Sequence, residues 1–469
     1  MSQRYDVLLK HGTVVDPISG RVEAADLAVA GDAIAEIAPD LDPTRAREVF
    51  DLTGYHVLPG IVDLHMHASA WLGGRAGHKM MAEVGVTTAL DMSGPIDSVL
   101  TIARGHGVGM NIACIEAVRP GQTVRDADPD AAELQSLLDA SLAKGAIGLK
   151  ILGGHYPLTP EATARTIALA NQRHAYVAFH AGSATKGSNI EGFLQAVELA
   201  GPNSLHIAHV NSYCRGAVRL CMQETEEAIA ALEAHPNLRS ESYLSPLNGT
   251  SAKCADGAPQ SRVTQHCLTV GGFPPTEAGL ADAILAGWAQ INIETGGRVV
   301  LGTGATALAY WRQHATDTTV SFAVNPPEPR MRLVTAKRKS GEFAVDAIST
   351  DGGGIPRNVI VEMGLALVKL QALSLPEFAR KASYNPARIL GLTRKGSLAP
   401  GADADITVVD VDRQRAILGM ANGQVIMHRG YACGRSSRII TTAAGAEAVR
   451  QGGLQPVVVD LEAGTFYRR

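Results

Sequence analysis

The chain has 469 residues, a formal net charge of -4, 46% hydrophobic residues and 19% charged residues. This length suffices for a large domain plus a smaller one, and the slightly acidic balance argues against a nucleic-acid or anionic-membrane partner. The N-terminus has no secretory pattern, no apolar run reaches transmembrane length, and the six cysteines form no C-x-x-C motif. We therefore expect a cytoplasmic protein with reduced thiols.

Short alternating strands are predicted at both ends of the chain. Residues 5–38 and 404–428 alternate apolar and polar side chains between turns rich in Gly and Asp, which is typical of β-strands. We expect the two ends to pair into one small β-sandwich domain, made of residues 1–58 and 395–469.

The middle of the chain alternates helices with strands instead. The pattern predicts a helix from Asp130 to Ala143 before a strand over 146–150, and a helix from Pro160 to His174 before a strand over 175–180. Helix and strand recur at about the length of a βα unit, which favours a parallel sheet. The sequence thus predicts the α/β class, with a (β/α)8 barrel over residues 59–394.

Two histidines one residue apart close the first predicted barrel strand. The apolar run 57–64 leads into His65 and His67, and residues i and i+2 of a strand point to the same side. Both imidazoles would then project together from the strand end, where such barrels carry their active sites. An isolated H-x-H motif is also common in surface loops, so the prediction depends on the other strand ends.

Those strand ends carry further metal-ligand residue types. In chain order they are Lys150, His180, His209 and Asp351. Imidazole and carboxylate groups suit zinc and similar divalent ions. A lysine ammonium would repel a cation, but carboxylation by CO2 would convert Lys150 into an anionic carbamate able to bridge two metal ions.

Each of these residues also has a structural interpretation. Lys150 would be a solvated surface lysine, His180 a core histidine, and Asp351 a turn residue before three glycines. His206 and His209 are three residues apart and should face opposite sides of a strand. We favour His209 as the ligand because it lies at the strand end, with His206 on the outer, helix-facing side. No metal role is predicted for His155 or His174.

The chemistry expected of this set is hydrolysis. Two divalent ions would hold a hydroxide between them, since metal binding lowers the pKa of water to about 7. Asp351 could take a proton from the nucleophile and pass it to the leaving nitrogen. Tyr156 could donate its hydroxyl to the developing oxyanion, although an ordinary loop tyrosine explains it equally well.

Taken together, the motifs resemble those of the amidohydrolase superfamily along most of the chain. The matching segments are VLPGIVDLHMHAS (57–69), IGLKI (147–151), AFHAG (178–182), IAHVN (207–211), STDGGG (349–354) and the closing stretch 385–410. The resemblance implies a (β/α)8 barrel, a β-sandwich built from both termini, and two divalent metal ions, with zinc the first choice, bridged by carboxylated Lys150. It also implies a hydrolase of carbon–nitrogen bonds.

The substrate class is less sharply defined by the resemblance. The interval of 29 residues between His180 and His209 is similar to that of isoaspartyl dipeptidases and N-acyl-D-amino-acid deacylases. Ser69 stands where dihydroorotases typically have an arginine, and the strand over 87–93 lacks the cysteine typical of D-aminoacylases. We expect cleavage of an N-acyl amino acid or related linear amide, with a cyclic amide of the hydantoinase or dihydropyrimidinase kind as the alternative.

Substrate contacts and assembly are further expectations. Arg357 and Asn358 follow the glycine loop and are candidates to contact substrate, and the basic segment 330–339 could supply a cation to a carboxylate. A non-catalytic scaffold homologue would have lost metal-ligand residues, and a single-metal deaminase would lack the lysine, so both are disfavoured. By analogy with relatives we expect a homo-oligomer.

Overall fold

The computed structural model describes residues 4–70 and 73–468. The chain begins with five strands, in which alternate apolar residues such as Leu27 and Val29 are buried. A tight turn at Gly31, whose φ of 62° favours glycine, joins the second strand to the third. The strands are β1 (Tyr5–Val15), β2 (Val22–Ala30), β3 (Ala33–Ala38), β4 (Ala46–Asp51) and β5 (His56–Pro59).

A parallel barrel follows directly. Its strands up to the seventh position are β6 (Ile61–His67), β7 (Val86–Asp91), β8 (Asn111–Cys114) continued by β9 (Glu116–Val118), β10 (Gly148–Leu152), β11 (Tyr176–His180), β12 (Leu205–Ile207) and β13 (Leu238–Tyr243). Each strand pairs in parallel with the next along the chain. This order is the one predicted from the alternation of helices and strands.

Helices cover the outside of these strands. They are α1 (Gly74–Glu83), α2 (Ile96–His106), α3 (Ala131–Lys144), α4 (Pro160–Gln172), α5 (Ile190–Ala200) and α6 (Cys221–Ala234). The ends of α3 follow local rules, since Asp130 accepts from the Glu133 N–H and Gly145 closes the helix at a φ of 118°. Leu134, Leu138 and Leu142 of α3 are buried against the barrel.

An insertion that the sequence patterns did not predict separates β13 from the next barrel helix. It contains β14 (Asn248–Ser251), β15 (Cys254–Ala255), β16 (Ala258–Pro259), α7 (Arg262–Val270), α8 (Glu277–Leu285), β17 (Ala289–Thr295), β18 (Arg298–Gly302), α9 (Gly304–Gln313) and β19 (Thr319–Phe322). Four of its strands form an antiparallel sheet in the order β14-β19-β17-β18. The insertion has its own apolar core, in which Trp311 and Phe322 are fully buried.

The barrel closes after the insertion. The remaining elements are α10 (Pro327–Thr335), β20 (Ala347–Ser349), β21 (Gly352–Gly353), α11 (Ile360–Lys369), α12 (Leu375–Ala379) and α13 (Asn385–Ile389), the last two joined by a π-helical turn. β20 pairs with β13, and β21 pairs with β6. The N–H of Asp351 donates to the carbonyl of His65 at 2.8 Å, so the eighth strand position is bonded to the first.

The C-terminal part returns to the first strands. β22 (Ile406–Asp410), β23 (Arg415–Ala421), β24 (Gln424–His428) and β25 (Tyr431–Ala432) continue from β5 in one sheet with β1 to β4. The Ile34 N–H donates to the Ala402 carbonyl at 2.9 Å, and both arms of the sheet bury side chains in one core. The two termini therefore build one β-rich domain beside the barrel.

The last segment departs from the predicted boundary. The prediction gave all of residues 395–469 to the β domain, but β26 (Arg438–Thr441), α14 (Ala446–Gln451) and β27 (Pro456–Val458) lie against the barrel. At the third barrel position, β10 pairs with β9 and leaves the edge of β8 without a partner on that side. β26 pairs in parallel with this edge of β8. Phe466 then stacks on Tyr176 with ring centroids 4.4 Å apart. In the described residues, no helix combines the length and apolar character needed to cross a membrane.

Candidate metal centre

Three of the predicted ligands meet where the barrel closes. The Nε2 atoms of His65 and His67 lie 3.2 and 3.0 Å from the same oxygen, Oδ1 of Asp351. One ligand atom from each of the three residues lies within 4.8 Å of the other two. The i, i+2 placement on β6 brings the imidazoles together, and a φ of 50° at Asp351 turns its carboxylate toward them.

His180 and His209 form a second pair beside the first group. His180 Nδ1 and His209 Nε2 are 3.0 Å apart, and the His209 ring stacks on His65 with centroids separated by 5.1 Å. The Nδ1 atom of His209 is buried without a hydrogen-bond partner in the part of the chain that the structure describes. We call His65, His67, Lys150, His180, His209 and Asp351 the strand-end cluster.

The prediction for His206 needs correction. It was expected on the outer side of its strand, but its Nε2 lies 3.9 Å from Oε1 of Glu241, a residue that also contacts His65. Strict alternation fails here because β12 ends at Ile207 and His209 has a φ of 35°. Both histidines therefore face the barrel interior. His206 bonds through Nδ1 to the Tyr176 hydroxyl at 2.6 Å, below the strand-end cluster.

Lys150 is buried within the barrel, with 1% of its surface exposed. Its Nζ donates to the thioether sulfur of Met92 at 3.1 Å, a weak acceptor. Burial lowers the pKa of Lys150 to about 8, against the opposing attraction of Glu241 and Asp351. The neutral amine, which is the form able to react with CO2, is therefore accessible near neutral pH.

Glu241 is the central residue that the sequence analysis missed. Its Oε1 accepts from His65 Nδ1 at 2.7 Å and from the His209 N–H at 2.6 Å, and its Oε2 accepts from the Ser349 hydroxyl. Burial raises the pKa of this carboxyl to about 8. A carboxylate on the second nitrogen of a ligand histidine fixes its tautomer and orientation. The available signal was the segment LRSESY (238–243), a strand whose alternate positions Arg239, Glu241 and Tyr243 are polar.

Arg357 was predicted to contact substrate, and the structure places it against Asp351. Its Nη2 lies 2.7 Å from Oδ2 of Asp351, its Nε donates to the carbonyl of the same residue, and 3% of its surface is exposed. Burial alone would raise the pKa of Asp351, but Arg357 and His65 hold it well below its usual range. Arg357 thus keeps this carboxylate ionised and oriented.

Asn358 is occupied by the loop that follows the cluster. Its Oδ1 accepts from the Gly353 N–H at 2.7 Å, and its Nδ2 donates to the Gly353 carbonyl at 2.9 Å. Tyr156 lies half-buried on the loop after β10, next to His155, whose ring is 5.3 Å from that of His180. The oxyanion role of Tyr156 stays a prediction.

The basic segment 330–339 does not present the cation that was expected of it. Arg330 is buried and donates to the carbonyls of Pro326 and Leu244. Arg332 pairs with Glu226 at 2.7 Å and Lys337 with Glu377 at 2.5 Å, away from the cluster. The side chain of Arg338 donates to main-chain carbonyls, including that of Leu232 at 2.8 Å.

The residues of the strand-end cluster fit divalent metal ions. Burial lowers the pKa of His65 and His180 well below the usual value and that of His209 to about 3, so these imidazoles are neutral donors. Asp351 is anionic. Because Nδ1 of His65 donates its proton to Glu241, Nε2 keeps its lone pair for a metal ion. Neutral imidazoles with a carboxylate are the donor set that zinc and similar ions prefer.

A model of the amidohydrolase family matches residues 325–428. Among curated proteins, the chain is 24% identical to a dihydroorotase of Geobacter metallireducens, covering 86% of this chain and 90% of the other. It is 22% identical to an N-acyl-D-glutamate deacylase of Alcaligenes xylosoxydans xylosoxydans, covering 88% of each. It is also 27% identical to an allantoinase of Deinococcus radiodurans, covering 86% of each.

Solved structures show the same fold. An N-acyl-D-glutamate deacylase from Bordetella bronchiseptica, complexed with zinc and a phosphonate inhibitor, superposes with a TM-score of 0.67 at 16% identity, covering 93% of this chain and 99% of that one. A dihydropyrimidinase from Brevibacillus agri gives a TM-score of 0.60 at 18% identity, covering 94% and 99%. The likeness includes both the barrel and the β-rich domain. In sequence and in fold, the chain is therefore similar to amidohydrolases, which are hydrolases of carbon–nitrogen bonds.

Proposed function

We propose that this protein hydrolyses the amide bond of an N-acyl amino acid or a related linear amide, using a hydroxide activated by divalent metal ions. The observation that carries the proposal is the convergence of His65 and His67 on one oxygen of Asp351, next to the His180–His209 pair. The ligand atoms of His65, His67 and Asp351 lie within 4.8 Å of one another, and the His209 ring of the second pair stacks on His65, which supports a shared metal centre.

The residues divide into two sets of donors. His65, His67 and Asp351 would hold one ion, and His180 and His209 a second, with carboxylated Lys150 serving both. Bound ions of this kind lower the pKa of a water to about 7 and polarise a carbonyl group. Zinc is the first metal to test, because neutral imidazoles and carboxylates suit it.

Several side chains act on the substrate or on the ligands. Asp351 accepts the proton of the attacking water and returns it to the leaving nitrogen, while Arg357 holds its other oxygen. Glu241 keeps His65 in the tautomer whose Nε2 lone pair faces Asp351. Tyr156 is proposed to donate its hydroxyl to the developing oxyanion.

A cyclic amide is the second candidate substrate. Whole-length similarity to a dihydroorotase and an allantoinase supports ring-opening hydrolysis as much as similarity to an N-acyl-D-glutamate deacylase supports a linear substrate. The chemistry at the carbonyl is the same in both cases, so the surroundings of the strand-end cluster must distinguish them.

Hydrolysis by zinc-loaded protein tests the proposal. The substrates are N-acetyl-D-amino acids, β-aspartyl dipeptides, hydantoins and dihydrouracil. We expect turnover of the linear compounds with a free carboxylate, and loss of turnover after chelation. Turnover of the rings alone would replace the linear assignment with the cyclic one. Failure of the metal-loaded protein on every amide would contradict the proposed function.

A further inference from the structure

Arg215 lies at the mouth of the barrel and has unusual partners. It follows the short helical turn after His209, and it is half-buried. Its Nε donates to Asn325 Oδ1 at 2.7 Å, and its Nη2 lies 3.0 Å from Asn248 Oδ1 and 3.2 Å from the hydroxyls of Ser212 and Tyr243. All these acceptors are neutral. We call Arg215, Ser212, Tyr243, Asn248 and Asn325 the Arg215 network.

No carboxylate balances this guanidinium. In the described chain, residues 4–70 and 73–468, no Asp or Glu oxygen lies within the 4.0 Å of an ion pair with Arg215. Arg219, four residues further along the same loop, does have one, Glu227 at 3.4 Å. A partly buried cation without a counter-ion is costly unless a ligand supplies the charge.

The neighbouring cations are already engaged. Arg357 lies over the Tyr243 ring at 5.2 Å but is paired with Asp351, and Arg330 donates to the Leu244 carbonyl beside Tyr243. Among the described residues near Tyr243, Arg215 and Arg330 are therefore the arginines without a carboxylate partner within 4.0 Å. Such cations attract anions to the mouth of a cleft.

Free donors remain on this side of the mouth. The Nη1 group of Arg215 makes no hydrogen bond to any described residue, whereas Nε and Nη2 are held in place. Asn211, in the same loop, uses Oδ1 to accept from the Tyr243 N–H and leaves its buried Nδ2 unpartnered within the described chain. Two unpaired N–H groups and a preset guanidinium fit an anionic acceptor.

The network lies one side chain away from the strand-end cluster. The Tyr243 ring is 6.4 Å from the His209 ring, and the hydroxyl at its far end accepts from Arg215. A molecule whose amide carbonyl lies at the cluster would extend its charged end past Tyr243 toward Arg215. In an N-acyl amino acid only a short carbon chain separates amide and carboxylate.

We propose that Arg215 binds a carboxylate of the substrate and thereby selects amides that carry a free acid. The inference rests on the proposed function and narrows its substrate class. It places the carboxylate-binding role in the loop after β12, because Arg357 is paired with Asp351 and Arg330 donates to main-chain carbonyls.

The test compares acids with matched neutral amides. The probes are the N-acetyl derivatives of D-alanine, D-leucine and D-glutamate and their α-carboxamides, with kcat and KM measured on zinc-loaded enzyme. Arg215→Met should raise KM for the acids about 10- to 100-fold, the range of a charge-assisted hydrogen bond, with kcat nearly unchanged. The carboxamides should change less than about twofold, and Arg215→Lys should fall between wild type and Arg215→Met.

The control is Arg219→Met, which removes the same charge from the same loop. It should leave the preference for acids intact. Equal effects of Arg215→Met on acids and carboxamides, or equal effects of the two Met variants, would overturn the proposal. If Arg215→Met does not fold, a loss of acid preference in Arg215→Lys supports the proposal and an unchanged preference refutes it.

The two proposals can fail separately. If zinc-loaded wild type hydrolyses none of these amides, the proposed function fails, and calorimetric binding of the same acids and carboxamides then tests Arg215. Tighter binding of an acid, abolished by Arg215→Met, supports its role. Equal binding of acids and carboxamides by wild type refutes it.

Discussion

The strand-end cluster and the Arg215 network lie at the same mouth but are built in different ways. The cluster comes from strand ends of one barrel, its acids and bases contact each other, and four of its six residues are buried, His67 and His180 being half-buried. The network joins the loop after β12 to both ends of the insertion, and its one cation meets neutral acceptors. The two proposals thus assign the chemistry to the strand ends of the barrel and the choice of substrate to the loop after β12 and the insertion.

The largest effect should come from Lys150. Lys150→Ala removes the proposed bridging carbamate, so metal content and activity should fall at least about 100-fold, the upper end of the loss for a residue that merely supports a ligand. Formate or acetate should restore part of both. Metal analysis measures the metal content of the variant, and steady-state kinetics with and without formate or acetate measures its activity.

Lys395→Met is the matched control, since Lys395 is equally buried but pairs with Asp405 at 2.9 Å, outside the cluster. It should lower thermal stability and leave the metal content unchanged. Full metal content in unrescued Lys150→Ala would show that Lys150 is not a ligand.

Glu241 should have the next largest effect. Glu241→Gln keeps the shape of the side chain but replaces the carboxyl that accepts from His65 Nδ1 and the His209 N–H by an amide, so metal affinity should fall about 10- to 100-fold. Competition with a chelator measures the affinity. Glu116→Gln, a change at another buried carboxyl of the barrel that accepts from the Ile96 N–H at 2.9 Å, should not alter it.

A substitution at Trp311 should perturb the insertion, and with it the Arg215 network, without perturbing the strand-end cluster. Trp311→Ala should destabilise the insertion by about 3–5 kcal/mol, because a fully buried aromatic ring leaves a cavity. Since Asn248 and Asn325 flank the insertion, the preference for acids should weaken while metal content stays near wild type.

Phe378→Ala, a truncation at another fully buried ring in α12, should lower the melting temperature without changing the ratio of KM values for acids and carboxamides. A parallel loss of metal and of acid preference in Trp311→Ala would argue that the two regions are not independent.

The smallest effect should come from Tyr243. Tyr243→Phe keeps the ring under Arg357 but removes the hydroxyl that accepts from Arg215 and from Asn325 Nδ2 at 3.1 Å. KM for N-acetyl amino acids should rise about 2- to 10-fold, the value of about one hydrogen bond, because the hydroxyl orients Arg215, and kcat should stay unchanged. Tyr310→Phe is the control, and a drop in kcat instead would assign Tyr243 to the chemistry.

The barrel and the proximity of His65, His67 and Asp351 could be predicted because both follow from simple periodicities, whereas the metal role of the strand-end cluster stays a prediction. Alternation along β6 puts His65 and His67 on one side, and parallel strands bring their carboxyl ends to one edge. His206 was misplaced because a single left-handed residue, His209, ends that alternation. The pattern of apolar residues in the sequence does not indicate that His209 adopts this left-handed conformation.

The rest depends on contacts between distant segments. Glu241 lies 176 residues from His65, and Arg215 lies 110 residues from Asn325, so no local spacing connects them. The insertion also alternates helices and strands, so the sequence pattern alone does not distinguish it from the βα units of the barrel. Arg357 was predicted to contact substrate because it lies near the glycine loop in the sequence. Its partner is Asp351, and only the fold shows that contact.

The parallel pairing of Arg438–Thr441 with Asn111–Cys114 has a consequence for biosynthesis. The third barrel strand emerges from the ribosome long before this partner, so a nascent chain carries an open strand edge while the rest of the barrel assembles. Such an edge is a site for chaperones or for misassociation between chains until residues 438–441 have been synthesised. Emergence of residues 438–441, rather than closure of the ring at Asp351, is then the event that completes this sheet.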